Sequence, residues 1–271
     1  MKCPVRVLLA FASCINLILA VATPINQKPL KQDLEVTVRL ASVDDARAIA
    51  EVILTAFADL PHIKYAYQHV NPDNFKTLVK CATLNIAEGL KYAHIFAHVA
   101  VLHTEKGDEA VSAAAWKMPW LLLGVEEPRE TVGPFNPFSS MWATSFEECP
   151  GSAINMTRAQ LISDNLALAE ERLLDDVHGS HQLYLSVIGT LPKYQGHDIA
   201  GGLLRQGIQH GLAQYPRSHS SLYATLSATE PGEVLYFENG YTSIENISIP
   251  SLEGDQHFRF DVMEKLIYRS E

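Results

Sequence analysis

The sequence predicts a mixed α/β layer fold. Short runs with the two-residue alternation of strands interleave with longer stretches of helical spacing, and the separators between them carry the Gly, Pro, Asn and Asp residues that end such elements. The 271-residue chain, 47% hydrophobic and 19% charged, also has the material for one compact core without repeats or low-complexity tracts. A formal net charge of -10 and the absence of any long Lys/Arg cluster exclude a surface built to hold a polyanion, so no nucleic-acid partner is expected. The expected partner is a small molecule or a peptide.

The first residues read as an address. Lys2 and Arg6 precede a mostly apolar run from Val7 to Val21, and Ala20-Val21-Ala22 is a small-x-small cleavage signal before Thr23. Residues 1–22 are therefore expected to be a signal peptide, with 23–34 a polar, flexible leader and the folded domain at 35–271. The apolar run is short for a bilayer span and carries Ser13 and Asn16, so no stable membrane span is expected after cleavage, and the expected location is the secretory pathway, secreted or lumenal. Asn155-Met156-Thr157 and Asn246-Ile247-Ser248 are glycosylation acceptors that fit such a route. Cleavage leaves Cys81 and Cys149, which an oxidising lumen allows to bond where geometry permits.

Along the domain, Val36 to Leu40 alternates as a half-buried strand, and Ser42-Val43-Asp44-Asp45 opens a helix whose buried stripe is Ala46, Ile49, Ala50, Ile53 and Phe57. Asn71-Pro72-Asp73 introduces a second helix, through Phe75 to Tyr92. His94 to His103 and Ala110 to Met118 are apolar runs around the turn signal Glu105-Lys106-Gly107-Asp108, which predicts an antiparallel hairpin. Residues at about 119–157, rich in Pro, Gly and aromatic side chains and without a clear period, read as an insertion over the sheet. Arg158 to Leu174 resumes helical spacing through Leu161, Ile162, Leu166, Ala169 and Leu173.

His181 to Thr190 is the next strand, and Ile199, Leu203, Leu204, Ile208 and Leu212 make a helical stripe that ends before Pro216. Gly201, Gly202, Gly207 and Gly211 interrupt this helix at about 1 kcal/mol each relative to alanine, which predicts that something packs closely against it. Ser221 to Ser227 is a strand, Gly232 to Asn239 a helix ended by Gly240, and Tyr241 to Ile249 and Phe258 to Lys265 are the last strands.

Between the strand ending at Thr190 and the glycine-bearing helix lies Pro192-Lys193-Tyr194-Gln195-Gly196-His197-Asp198-Ile199-Ala200. A turn that feeds a helix N-terminus gathers unpaired backbone N–H groups and the positive end of the helix dipole, a ready place for a phosphate. The same arrangement also arises in a plain strand-turn-helix, with Asp198 as its N-cap. Downstream, Leu235-Tyr236-Phe237-Glu238-Asn239-Gly240-Tyr241 places a tyrosine on a short helix before a glycine-aromatic step into a strand. Read alone, that tyrosine is an aromatic on an apolar face.

The two segments, in this order and with this spacing, resemble the GNAT superfamily of acyl-CoA-dependent N-acyltransferases, here of a fungal type with a signal peptide; the resemblance spans most of 35–269 in element order. It implies a mixed, mostly antiparallel central sheet flanked by helices, with acetyl-CoA as co-substrate and an amine of a small molecule or peptide as acceptor. By that resemblance the backbone of Val187, Ile188 and Gly189 polarises the thioester carbonyl. The turn Gln195, Gly196, His197, Asp198, Ile199 and Ala200 holds the pyrophosphate, and Tyr236 returns a proton to sulfur.

The sequence departs from the family pattern in two places. Asp198 stands where the turn has its central glycine, which crowds and repels a phosphate, although His197 beside it can offset charge and the carboxylate can turn onto the helix as a cap. Ser227 stands where many relatives carry a strand glutamate, which leaves Glu230, Glu233 and His181 as possible water-relayed bases. These departures keep a second reading open, a secreted or lumenal binding protein on the same fold with weakened or lost catalysis.

Other chemistries lack their residues. His94, His98 and His103 share a run without a carboxylate at ligand spacing, so no metal is expected, and no Gly-x-Ser-x-Gly elbow supports a hydrolase. Trp116, Trp120, Trp142, Phe135 and Phe138 line an acceptor pocket or pack a core.

Overall fold

The computed structural model of the chain describes residues 34–67, 71–105, 107–118, 153–215 and 221–269, all within the compact unit Leu34–Glu271. The signal-like segment, nearly all of the leader, and residues 119–152 with Trp120, Phe135, Phe138, Trp142 and Cys149 lie outside the described residues. The elements are β1 (Val36–Leu40), α1 (Ala46–Phe57), α2 (Pro61–Ala66), α3 (Pro72–Gly89), β2 (Ile95–Thr104), β3 (Gly107–Lys117), α4 (Met156–Glu170), α5 (Asp176–His178), β4 (Gln182–Thr190), α6 (Ile199–Gln214), β5 (Ser221–Thr229), α7 (Glu233–Glu238), β6 (Thr242–Pro250) and β7 (His257–Arg269).

The strands form a seven-stranded sheet in the order β1-β2-β3-β4-β5-β7-β6. Every neighbouring pair is antiparallel except β4 and β5, which run parallel with α6 as their crossover. The expected β2–β3 hairpin forms, with Thr104 Oγ1 donating to Gly107 O at 2.6 Å across the turn and Gly107 at a φ of 114° that suits glycine.

One face of the sheet carries α1 and α3: Ile49, Ile53 and Ile86 pack on Val99, Val101, Ala113, Ala115 and Val187. The other carries α6, whose Ile199, Leu203 and Leu204 pack on Phe96, Ala100, Ala114, Trp116, Leu183 and Leu185. Strand alternation then sorts the residues between them. Leu183 and Leu185 face α6, while Tyr184 faces the other side and packs with Ala169, Leu173 and Val262. Thus α4 lies on the same side as α1, over β5, β6 and β7. Its far end joins α2 and the β6–β7 turn, where Arg158 stacks on the Tyr65 ring at 4.4 Å and both residues hydrogen-bond Glu253.

Two corrections concern α4 and its neighbourhood. Helix α4 starts at Met156, so the expected insertion does not run to 157; Asn155 is its N-cap, accepting from Arg158 N at 3.2 Å. The short helix α2, opened by Pro61 at its first position, was not expected, because six residues are too few to show a period. Cys81 is disulfide-bonded, and its partner cysteine lies outside the described residues.

Candidate functional site

The parallel pair is where the sheet opens. β4 and β5 are in register only at Gln182↔Tyr223, Leu183↔Ala224 and Tyr184↔Thr225, and beyond these β4 runs on to Thr190 and β5 to Thr229 without pairing. The unpaired stretch begins at a bulge on β4: Leu185 and Val187 oppose Trp116 and Ala115 of β3, which leaves Ser186 extra and bends the strand locally. Two strand edges therefore face each other across a gap inside the sheet.

The amides that face this gap follow from the register. Leu191 N donates to Val111 O at 2.9 Å, so by alternation Gly189 and Val187 also direct their N–H groups to β3, and Ile188 directs its own into the gap. Of the expected carbonyl-polarising set, Ile188 is thus the available donor, and Val187 and Gly189 are used in the ladder. Gly189 has a packing role as well: a Cβ there would meet Ile53 Cδ1 at 3.0 Å and Ala56 Cβ at 3.1 Å, so α1 sits directly on this strand end. Ser112 Oγ, fully buried, fastens the same end by hydrogen bonds to Gly189 O at 2.8 Å and Thr190 Oγ1 at 2.7 Å.

The turn follows immediately. Gln195 Nε2 donates back to Thr190 O at 3.1 Å, and Glu109 of β3 accepts from Lys193 Nζ and Tyr194 Oη, each at 2.7 Å. With its base clamped, the chain passes through two left-handed residues, Gly196 at φ 77° and Asp198 at φ 57°, before α6 begins. Among the described residues, no group accepts from the successive N–H groups of Gly196, His197, Asp198, Ile199, Ala200 and Gly201. A row of free amides at a helix N-terminus, bent by left-handed residues, is an anion cradle.

Asp198 occupies the left-handed position that glycine favours and that Asp and Asn tolerate best among other residues. The expectation that its carboxylate caps the helix is not met, for its side chain makes no cap hydrogen bond. The carboxylate lies instead over Gly201, where an added Cβ would come within 2.1 Å of Oδ1, and pairs with Arg205 Nη2 at 2.8 Å. Its charge is met about two turns down the helix by Arg205, and although it lies beside the last amides of the row it makes no cap hydrogen bond to them.

On α7, Tyr236 is 7% exposed and packs with Leu226, Ala228 and Ile199 on the α6 side of the gap, with its ring 5.7 Å from that of Tyr241. Burial raises its phenol far above the ordinary value, so it stays protonated, and its hydroxyl hydrogen-bonds to no described group. Gly240, at φ 81°, ends the helix as expected.

The proposed relay residues do not converge on the gap. His181 Nδ1 is bonded to Tyr215 Oη at the paired end of β4, Glu233 lies 3.4 Å from Arg259, and Glu230 is exposed. At the place of Ser227 the structure supplies a carboxylate the sequence reading missed: Ser227 Oγ donates to Glu170 Oε1 at 2.8 Å, and Tyr184 Oη donates to the same oxygen at 2.5 Å. A signal for it was present. Ile162, Leu166 and Glu170 fall at successive four-residue steps, which puts a carboxylate on the apolar stripe of α4.

His94 and His98 make separate contacts, His94 with Tyr92 and His98 with Phe96 and His210, and no group among the described residues could hold a metal ion. Trp116 belongs to the core beneath α6, fully buried. Among the described residues no helix is long and apolar enough to cross a membrane.

No family model and no curated protein matches the sequence. Solved structures do match. Arylalkylamine N-acetyltransferase 2 from Aedes aegypti aligns with a TM-score of 0.55 at 12% identity, covering 86% of this chain and 100% of that one. A polyamine N-acetyltransferase from Drosophila melanogaster gives 0.49 at 14% identity over 86% and 100% of the two chains, and a GNAT-family acetyltransferase from Streptococcus pneumoniae gives 0.47 at 11% identity over the same shares. The likeness is one of architecture: this chain has the GNAT-like fold, a mixed and mostly antiparallel sheet flanked by helices and opened between its two parallel strands.

Proposed function

We propose that the chain is an acyl-CoA-dependent N-acyltransferase that moves an acetyl group from acetyl-CoA to an amine of a small molecule or peptide by direct attack. The observation that carries this reading is the row of unaccepted amides from Gly196 to Gly201, set at the end of β4 beside the gap. It fits a pyrophosphate by its donors alone, without a lysine. A thioester lying in the gap meets the Ile188 N–H, which polarises its carbonyl where charge develops, and Tyr236 on the α6 side, which supplies a proton to the departing sulfur. The name of the mosquito neighbour, an arylalkylamine acetyltransferase, supports an amine as acceptor. The signal-like residues 1–22 support a secretory location for this activity.

Calorimetric titration of the chain with acetyl-CoA tests the reading, together with turnover of Tyr236→Phe. Saturable binding is expected, with a rise in melting temperature, because a ligand held only by the folded state stabilises it. Tyr236→Phe keeps the packed ring and removes the proton, so turnover falls on the order of 100-fold while affinity holds. Absence of binding favours the second reading, a binding protein that has lost catalysis, for which Asp198 beside the amide row is the specific motive.

A further inference from the structure

We infer that Glu170 is the base of this reaction, receiving the proton of the attacking amine at the mouth of the gap from α4 rather than from the sheet; the inference rests on the acyltransferase reading above. Glu170 is held by the two residues that flank the parting of the strands, Tyr184 in the last paired position of β4 and Ser227 two residues beyond its partner Thr225 on β5. Both bonds end on Oε1. Among the described residues nothing donates to Oε2, which leaves that oxygen to take a proton. The backbone changes form directly after Glu170, from α4 to a π-helical turn at Glu171–Asp175, a local expansion that recurs at functional sites.

The two sides of the gap divide the work. Ser227 and Tyr184 project to the α1 and α4 side, while Leu226 and Ala228 project to the α6 side with Tyr236. An amine approaching on the Glu170 side therefore meets the thioester from the face opposite the phenol. The nitrogen forms its bond to the acyl carbon, and the carbon–sulfur bond breaks with its electron pair leaving on sulfur. Glu170 takes the proton shed by nitrogen and Tyr236 gives its phenolic proton to sulfur. One proton enters the protein and one leaves, so the step needs no further reactant.

Burial raises the Glu170 carboxyl above the ordinary carboxylate range, the Tyr184 and Ser227 bonds oppose that, Asp175 adds to it and Lys117 subtracts. Burial also lifts the Tyr184 phenol well above its usual value, which keeps it a donor to the carboxylate. Of the described carboxylates on the strands beside α4, Glu245 of β6 pairs with Arg172, Glu264 of β7 bonds His178, and Asp261 of β7 accepts from Ser243 Oγ. The groups that set the basicity of Glu170 are thus Tyr184, Ser227, Asp175 and Lys117.

The test uses the full chain, Glu170→Gln, and a double variant combining Glu170→Ala with Ser227→Glu, which returns a carboxylate to the same place from β5. Each is assayed with acetyl-CoA and a panel of arylalkylamines, polyamines and peptides, with acetyl-CoA affinity measured by calorimetry and fold by circular dichroism. Glu170→Gln is expected to bind acetyl-CoA as the unaltered chain does, to lose on the order of 100-fold or more in kcat, and to lose the acid limb of the kcat/KM pH profile. The double variant is expected to recover part of both, and it decides the matter should Glu170→Gln fail to fold. A Glu170→Gln protein with unchanged rate and pH profile overturns the assignment and leaves the acyltransferase reading standing. An unaltered chain that binds no acetyl-CoA overturns that reading and the assignment with it, and one that binds acetyl-CoA but acetylates no amine of the panel overturns the assignment.

Discussion

Gly207 and Gly202 sit on the same helix, and replacing each by alanine separates close packing from helix propensity. A Cβ on Gly207 would lie 2.2 Å from Trp116 Nε1, 2.3 Å from Cε2 and 2.6 Å from Cζ2. Ordinary carbon contacts begin near 3.5 Å, so α6 or the indole must move by about 1 Å. Neither is free to do so: Trp116 is 0% exposed, and Leu203 and Leu204 hold α6 to the same sheet face, each at 0%. Overpacking of this kind costs about 1–3 kcal/mol and occasionally more, against a propensity gain of about 1 kcal/mol. At Gly202 an added Cβ meets nothing within 4 Å, so only the gain remains. Gly207→Ala is therefore expected to lower stability by about 1–2 kcal/mol, and Gly202→Ala to raise it by about 0.5–1 kcal/mol. Urea unfolding followed by circular dichroism and tryptophan fluorescence measures both midpoints. A Gly207→Ala protein as stable as Gly202→Ala would refute the claim that α6 carries its glycines for contact with the sheet.

Asp198→Gly removes a charge from beside the amide row and relieves a left-handed residue, so acyl-CoA affinity is expected to rise several-fold, about 1 kcal/mol, with no loss of stability beyond the small surface pair with Arg205; calorimetry and melting curves check both, and unchanged affinity argues that the turn holds no phosphate. His98, 5% exposed, has its pKa lowered from 6.5 to about 4 by burial, with neighbouring His210 adding to the shift. Between those values the unfolded chain binds a proton that the folded chain refuses, so stability is full above pH 6.5 and falls as the pH drops toward 4, by up to about 3 kcal/mol from this group. Denaturant midpoints across that window should fall less steeply in His98→Leu. Ser112→Ala removes the hydroxyl that bonds Gly189 O and Thr190 Oγ1 in a fully buried site, with an expected loss of about 1–3 kcal/mol in the same unfolding assay; a change within 0.5 kcal/mol would show that the strand end needs no such tie.

The strands and long helices were legible because each buries one face, and burial leaves a period in the sequence. Ile49 and Ile53 on α1 and Leu203 and Leu204 on α6 are buried as their spacing required. The turn from Gln195 to Ala200 was legible as a turn before a helix, since the glycine and the helical stripe that mark it lie within a few consecutive residues. What was not legible depended on distance along the chain. Glu170 meets Ser227 across 57 positions, and beside Glu171 nothing local singles it out except its place on the apolar stripe. The direction of the Asp198 side chain was a choice between two short-range partners, the helix amides and Arg205, and the left-handed backbone at Asp198 decided it by swinging the carboxylate over Gly201. The loss of Val187 and Gly189 as donors came from a register that a single bulge sets, which no composition records.

A sheet that opens in its middle has two edges that no neighbouring chain can reach. The Ile188 amide on one of them is sheltered by α1 on one side and α6 on the other, yet among the described residues no strand bonds it. Such an amide exchanges with solvent deuterium far faster than its burial implies, and whatever occupies the gap slows it. Hydrogen exchange at Ile188 is thus a reporter of occupancy that needs no turnover and no knowledge of the acceptor.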